Sequence, residues 1–314
     1  MHRRRFLALL GGGVASLAAA GVCCGEGQDT WDLRLTCWRV PVPRLPHSLD
    51  GVRVAHLSDF HVGDDVPASF VIQALEMAQA AKPDLIALTG DFVSYNWKNL
   101  EHVQPALSRL HAPLGVYACL GNHDDFCDRA KYITDGLEDC GIEVLTNTSR
   151  RLAGHKDAWV VGVDDPCTER HDFDRALKGV PHEDFRLLLA HSPEIADAAA
   201  QLSIDLVLAG HTHGGQVNLP LVGPPVVPTK YGPRYAWGLF DCHGTRMVVS
   251  RGVGVVEPVI RFRCPPEVGL LTLCRGDWAL PAGQWGVDGR ALGRKLRGSL
   301  TGLRSLLSGV HSGI

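Results

Sequence analysis

From residue 52 onward, short apolar runs alternate with stretches whose apolar residues recur every three or four positions. VRVAHLS precedes FVIQALEMAQAA, DLIALTG precedes LEHVQPALSRL, and GVYACLGN follows. Strand then amphipathic helix, repeated, predicts βαβ units around a central sheet. The later runs DAWVVGV, FRLLLAH, IDLVLAG, TRMVVSRG and EVGLLTL are strand-like with fewer helices between them, which predicts a second sheet packed on the first. The Pro-rich stretch LPLVGPPVVPTKYGP (219–233) reads as an ordered surface loop. With no internal repeat or low-complexity linker, the simplest division is one α/β domain over about residues 36–280.

The two ends depart from this pattern. Residues 1–25 carry Arg3, Arg4 and Arg5, then a weakly hydrophobic run from Phe6 to Val22 rich in Gly and Ala. This is a targeting segment. Arg3-Arg4-x-Phe6-Leu7 resembles a twin-arginine export signal, and the alternative is an uncleaved membrane anchor. Either one leaves the basic end in the cytoplasm and places the domain on the extracytoplasmic face, in the periplasm or cell envelope. The residues AAGV before Cys23 and Cys24 fit a lipobox poorly. Over 288–314, Leu292, Leu296, Leu300, Leu303, Leu307, Val310 and Ile314 recur at steps of three and four, with Arg290, Arg294, Arg297 and Arg304 opposite. That is a basic amphipathic helix pattern, suited to an anionic membrane surface or to docking on the domain itself. Gly293, Gly298, Gly302, Gly309 and Gly313 each weaken such a helix by about 1 kcal/mol relative to alanine, which favours its forming on binding.

Composition sharpens the picture in two respects. Residues 1–25 hold three basic side chains and residues 290–314 hold five, neither segment has an acid, and the net charge of -3 therefore leaves about -11 on residues 26–289. An acidic body argues against general nucleic-acid binding, which needs a basic footprint. The ten cysteines include no C-x-x-C pair, which sets aside a zinc ribbon or thioredoxin-type site. Export would permit disulfides, whose pairing the spacing leaves open, and buried free thiols are the alternative.

The chemistry-bearing residues sit where strands are predicted to end. Asp59 and His61 follow VRVAHLS, Gly90 and Asp91 end DLIALT, and Asn122, His123 and Asp124 end VYACL; His191 follows FRLLLA, and His211 and His213 follow IDLVLA. Carboxyl ends of strands are where open α/β sheets bind ligands. Asp59, His61, Asp91, Asn122, His191, His211 and His213 offer imidazole nitrogens, carboxylates and one amide oxygen, and no thiolate. This mixed set suits manganese, iron or zinc. Seven donors exceed one tetrahedral ion and fit two ions that share a carboxylate, roughly 3.5–4 Å apart, able to clamp a phosphoryl group. Alternation along an extended GHTHGG segment would turn His211 and His213 the same way with Thr212 opposite, the glycines clearing a floor for that group.

The motifs SDFH, TGDF, LGNHD, LAH and GHTH, in that order, resemble the five-motif signature of calcineurin-like metallophosphoesterases over roughly residues 52–275. That resemblance implies a four-layer α/β/β/α sandwich and a dinuclear site of two divalent ions. Asp59, His61 and His213 would hold one ion, Asn122, His191 and His211 the other, and Asp91 would bridge. His123 would face the substrate, stabilising phosphoryl oxygens or protonating the leaving oxygen, with Asp124 orienting its ring. GDFVSYN lacks the arginine that protein phosphatases carry soon after this Gly-Asp. His61 and Ser94 stand where purple acid phosphatases have glycine and tyrosine, and His123 is kept where the common soluble lipid A pyrophosphatase has arginine. GHTHGGQV, VVSRGVG (248–254) and IRFRCPPEVGLLTL (260–273) resemble a narrower branch of membrane-associated or twin-arginine-exported phosphodiesterases, with UDP-2,3-diacylglucosamine pyrophosphatase-like relatives in lipid A biosynthesis. Arg251, Lys230 and Arg234 would meet substrate phosphates or remain solvated. The expected partner is a phosphodiester or pyrophosphate, lipid-linked in the leading reading. Alternatives are an envelope phosphodiesterase of broad specificity, a non-catalytic binding protein on the same fold, and a nuclease.

Overall fold

The structure is a computed structural model that describes residues 29–126 and 129–276. Twelve strands are present among the described residues: β1 (Arg34–Val42), β2 (Arg53–Leu57), β3 (Leu85–Thr89), β4 (Val116–Cys119), β5 (Glu143–Val144), β6 (Thr148–Arg151), β7 (Ala158–Gly162), β8 (Phe185–Leu189), β9 (Leu206–Ala209), β10 (Gly238–Cys242), β11 (Thr245–Val249) and β12 (Glu267–Arg275). They form two mixed six-stranded sheets, ordered β1-β12-β2-β3-β4-β5 and β10-β11-β9-β8-β7-β6. The helices are α1 (Ala68–Ala80), α2 (Gln104–Leu107), α3 (Asn122–Phe126), α4 (Ala130–Glu138), α5 (Phe173–Ala176) and α6 (Ala196–Gln201).

The period-two alternation of strand side chains divides the apolar residues among three cores. Ala55, Leu57, Ile86, Leu88 and Ala118 pack with Val71, Leu75 and Ala78 of α1, Leu107 of α2 and Ile133 and Leu137 of α4. Their neighbours Val54, Leu85, Ala87 and Tyr117 turn the other way, onto Val160, Leu187, Leu189, Leu206 and Leu208 of the second sheet. Leu188, Val207, Met247 and Val249 then face Ala176 of α5 and Ala196 and Ala199 of α6. Three cores between four layers make the α/β/β/α sandwich, and each wholly buried Leu or Val contributes about 1.5–3 kcal/mol by leaving water.

Local chemistry sets the element ends. α1 buries Phe70, Val71, Ala74, Leu75 and Ala78. It stops where Lys82 turns left-handed (φ 50°) and Pro83 follows. LEHVQPALSRL is not one helix: a 3-10 turn over Trp97–His102 and α2 meet at Val103. Pro105 has no N–H to give the carbonyl four residues back, so the helix restarts there. EVGLLTL does not join the second sheet as expected. As β12 it pairs antiparallel with β2 and parallel with β1, in the first sheet. The RLTCWRVPV run that forms β1 is an edge strand, where Pro41 is tolerated. Residues 219–233 are ordered, with a tight turn closed by Leu219 N–H to the Gly223 carbonyl (3.1 Å). Among the described residues no helix is long and apolar enough to cross a membrane. The segments 1–25 and 288–314 lie outside the described residues.

Candidate metal centre

Five strand ends deliver the donors. Asp59 and His61 follow β2, Asp91 follows β3, and Asn122 opens α3 after β4; His191 follows β8 and His211 follows β9. Three ends belong to one sheet and two to the other, so the cluster lies across the seam between sheets. The chain bends sharply after β2, β3 and β9: Asp59, His61, Asp91, His211 and His213 have φ of 56°, 49°, 55°, 69° and 50°. Such left-handed non-glycine residues cost of order 1–3 kcal/mol each and persist where neighbours hold them. Asp59 N–H bonds the Gly90 carbonyl (2.9 Å), His61 N–H the Asp91 carbonyl (2.9 Å) and Gly210 N–H the His191 carbonyl (2.8 Å).

Three groups of metal-competent atoms result among the described residues, one of them His61, Asp91 and His123. Asp59, His61 and His213 place one ligand atom each within 4.8 Å of the others, as do Asp91, His191 and His211. His61 Nε2 stands 3.1 Å from His213 Nε2, and His191 Nε2 stands 3.3 Å from His211 Nδ1. Asp91 Oδ2 lies between the groups, 3.4 Å from His61 Nε2 and 3.1 Å from His191 Nε2. His191 Nδ1 faces the Thr89 carbonyl at 2.7 Å, which makes that nitrogen the proton-bearing one and leaves Nε2 as donor.

Electrostatics favours lone pairs here. Burial pushes His61 down to about 3 and, with His191 adding, His211 to about 4; burial and His61 put His213 well below its ordinary value. Against the effect of burial, His191 and His61 hold the Asp91 carboxyl far below the usual carboxylate range, and the same contact lifts His191. Burial raises Asp59 to about 6. Asn122 Oδ1 is buried without a hydrogen-bond partner among the described residues. An orphaned amide oxygen, the imidazoles of His61, His211 and His213 held neutral, and an ionised carboxylate are a donor set that divalent cations would satisfy.

His123 and Asp124 are placed differently from one another. His123 Nδ1 faces the Ser94 carbonyl (3.1 Å), and its ring lies edge-on to His61 with centroids 4.7 Å apart. Asp124 does not orient that ring as expected. Its carboxylate accepts backbone N–H groups from Asp91 (2.8 Å), Phe92 (2.8 Å), Val93 (3.3 Å) and Gly121 (3.0 Å), so it clamps the turn that carries Asp91. Burial, with Asp91 adding, lifts the Asp124 carboxyl to about 7.

The GHTHGG segment is not extended. His211 and His213 are both left-handed with Thr212 helical between them, and the two rings reach different groups. Nor do the glycines clear a floor: a Cβ on Gly214 would come within 2.6 Å of Cys264 Sγ, and one on Gly215 within 2.5 Å of Pro224. Close packing of the protein on itself requires them. Arg251 is a buried structural cation, bonded to Glu267 Oε2 (2.7 Å) and set over the Trp237 ring, so it is not a phosphate contact. Lys230 and Arg234 are exposed, over the rings of Tyr231 and Tyr235. Two neighbours of the centre were not singled out from the sequence: Pro228, whose carbonyl is 2.9 Å from His211 Nε2, and the buried Arg261 beside His213, although Arg261 lies within the IRFRCPPEVGLLTL motif.

Comparison with known proteins agrees with this geometry. The family model for calcineurin-like phosphoesterases matches residues 52–215. The chain is 29% identical over 283 residues to the uncharacterized metallophosphoesterase YkuE of Bacillus subtilis, covering 87% of this chain and 98% of that protein. It is 33% identical to the phosphodiesterase YaeI of Escherichia coli, over 70% of this chain and 82% of the relative. It is 26% identical to the UDP-2,3-diacylglucosamine pyrophosphatase LpxG of Chlamydia trachomatis, over 76% and 88%. The α/β/β/α sandwich and the buried His/Asp groups at its strand ends therefore have an established context: the chain belongs to the calcineurin-like phosphoesterase family.

Proposed function

We propose that this metallophosphoesterase hydrolyses the phosphodiester or pyrophosphate bond of an amphiphilic, lipid-linked substrate using two divalent cations, with manganese the best match to the donors. The observation that carries the reading is the pair of buried groups on either side of Asp91 Oδ2. Asp59, His61 and His213 would hold one ion, Asn122, His191 and His211 the second, and Asp91 would bridge. Bound divalent ions supply Lewis-acid polarisation of phosphoryl oxygens and make water nucleophilic near neutral pH.

The chain's own groups do the rest. With Nδ1–H donating to the Ser94 carbonyl, His123 presents Nε2 as the atom that carries a proton to the leaving oxygen. Asp124 keeps Asp91 in place through the backbone.

An apolar surround supports the amphiphilic class. Tyr95 and Phe126, both largely exposed, have ring centroids 5.7 and 5.4 Å from that of His123. Leu221, Val222 and Val226 are exposed on the loop whose Pro228 carbonyl meets His211. The leading activity is that of a UDP-2,3-diacylglucosamine pyrophosphatase, and the alternative is an exported envelope phosphodiesterase. The twin-arginine-like N-terminus favours the alternative, because UDP-diacylglucosamine is made inside the cell while the signal directs the domain outside. Membrane contact through residues 1–25 and 288–314 belongs to both.

The test is the full-length chain in detergent, loaded with Mn²⁺ and given UDP-2,3-diacylglucosamine, a lipid pyrophosphate or an aryl phosphodiester. Preference for a lipid substrate supports the proposal. Turnover of the aryl phosphodiester alone supports the broad envelope enzyme, and metal uptake without turnover of any substrate would return a binding protein.

A further inference from the structure

His213 and the three residues after it take positive φ in succession: 50° at His213, 62° at Gly214, 74° at Gly215 and 55° at Gln216. Left-handed backbone costs a residue with a side chain about 1–2 kcal/mol, so the two non-glycine members need support from outside the turn. Gln216 has it from its own amide, bonded to Val256 and Pro258, and His213 has it from Arg261, which is fully buried. Its Nη1 donates to the carbonyls of His213 (3.4 Å) and Cys264 (3.2 Å), and its Nη2 to those of Arg251 (2.7 Å), Gly252 (3.4 Å) and Gly254 (2.5 Å). Nη2 also stands 3.5 Å from His213 Nδ1, the ring nitrogen opposite the one that faces His61.

Every partner of this guanidinium among the described residues is a backbone carbonyl, the Cys264 thiol or the His213 ring. A cation buried without a carboxylate is expensive, and only the planar five-donor fork of arginine reaches three separate segments at once. One of those segments, 251–254, also abuts Asp59: Gly254 N–H bonds the Asp59 carbonyl (2.6 Å), and a Cβ on Gly252 would come within 2.8 Å of Asp59 Cβ. The fork thus joins the turn carrying His213 to the segment that backs Asp59. None of its partners is Asn122, His191 or His211.

We propose that Arg261 is a positioning residue for one ion of the pair, holding His213 in register with Asp59 and His61 and leaving the Asn122, His191 and His211 group unaffected. The proposal rests on the two-ion reading above. Full-length wild type, Arg261→Lys and Arg261→Gln are stripped of metal and titrated with Mn²⁺, with bound metal counted and the Kd of each step measured; thermal melts of the stripped proteins are recorded in parallel. Wild type should bind two ions. Each variant should keep one at unchanged Kd and bind the second about 10- to 100-fold more weakly, the usual cost of losing a group that orients a metal ligand. Arg261→Lys should lose less, since it keeps the charge without the fork.

Wild type binding fewer than two ions would fail the two-ion reading itself. Wild type binding two while the variants bind two at unchanged Kd would overturn the role of Arg261. Equal weakening of both ions, with a lower melting temperature of the stripped protein, would make Arg261 a general structural residue and also overturn it. Should Arg261→Gln be recovered unfolded, Arg261→Lys decides by the same criteria.

Discussion

His123 and Asp124 are adjacent in the chain and bonded to different parts of the protein, so their substitutions should separate chemistry from architecture. His123→Ala is expected to retain wild-type metal content and lose about 10²- to 10⁴-fold in turnover of an aryl phosphodiester, the span that general acid catalysis supplies. Metal analysis beside the rate measurement checks both halves. Asp124→Asn leaves one oxygen and an NH₂ against four backbone N–H donors, and each stranded donor costs about 1–3 kcal/mol. A lower urea midpoint together with weaker metal binding is the expected result, because the amides released belong to the turn holding Asp91. The metal-competent residues were legible because each follows an apolar run within two to four positions and belongs to a short motif. Asp124's partners were not legible, since a carboxylate that binds backbone amides leaves no mark on the residues it binds.

At the scale of elements, the site depends on how closely β9 passes the end of β2. A Cβ on Gly210 would collide with Ser58 Oγ and Asp59 Oδ2, so Gly210→Ala is expected to abolish high-affinity metal binding while far-UV circular dichroism stays native. A second prediction concerns His56 of β2, buried between the sheets with Nε2 2.9 Å from Thr89 Oγ1. Burial lowers its pKa from 6.5 to about 4. Between those values the unfolded chain takes up a proton that the folded protein refuses, so this residue lowers stability as pH falls through the window. The slope is about 1.4 kcal/mol per pH unit. His56→Gln should flatten the acid loss by that amount in urea melts at pH 4.5 to 7. Sequence periodicity found most strands, yet it misassigned β12 because nothing in EVGLLTL states which sheet it will join. It also made GHTHGG extended, because a two-residue spacing fits a strand and a left-handed turn equally well.

For the whole molecule, the candidate centre ties together two sheets that also meet through apolar packing and through polar links such as Arg246 Nε to the Pro41 carbonyl (3.0 Å). Stripping metal with a chelator should therefore lower the melting temperature of the entire domain. An ion held at one hundred times its Kd adds about 2.7 kcal/mol, or several degrees for a domain this size. An unchanged melt after verified metal removal would show that the sheets dock independently of the ions. The span of the site along the chain carries a further consequence, in time. His61 and His213 are 152 residues apart, as are Asp59 and His211. A chain emerging from the ribosome thus completes neither half of the centre until the last histidine has been made and the second sheet has closed on the first. Which metal the protein acquires is then decided after synthesis, by the ions available in the compartment where it finishes folding.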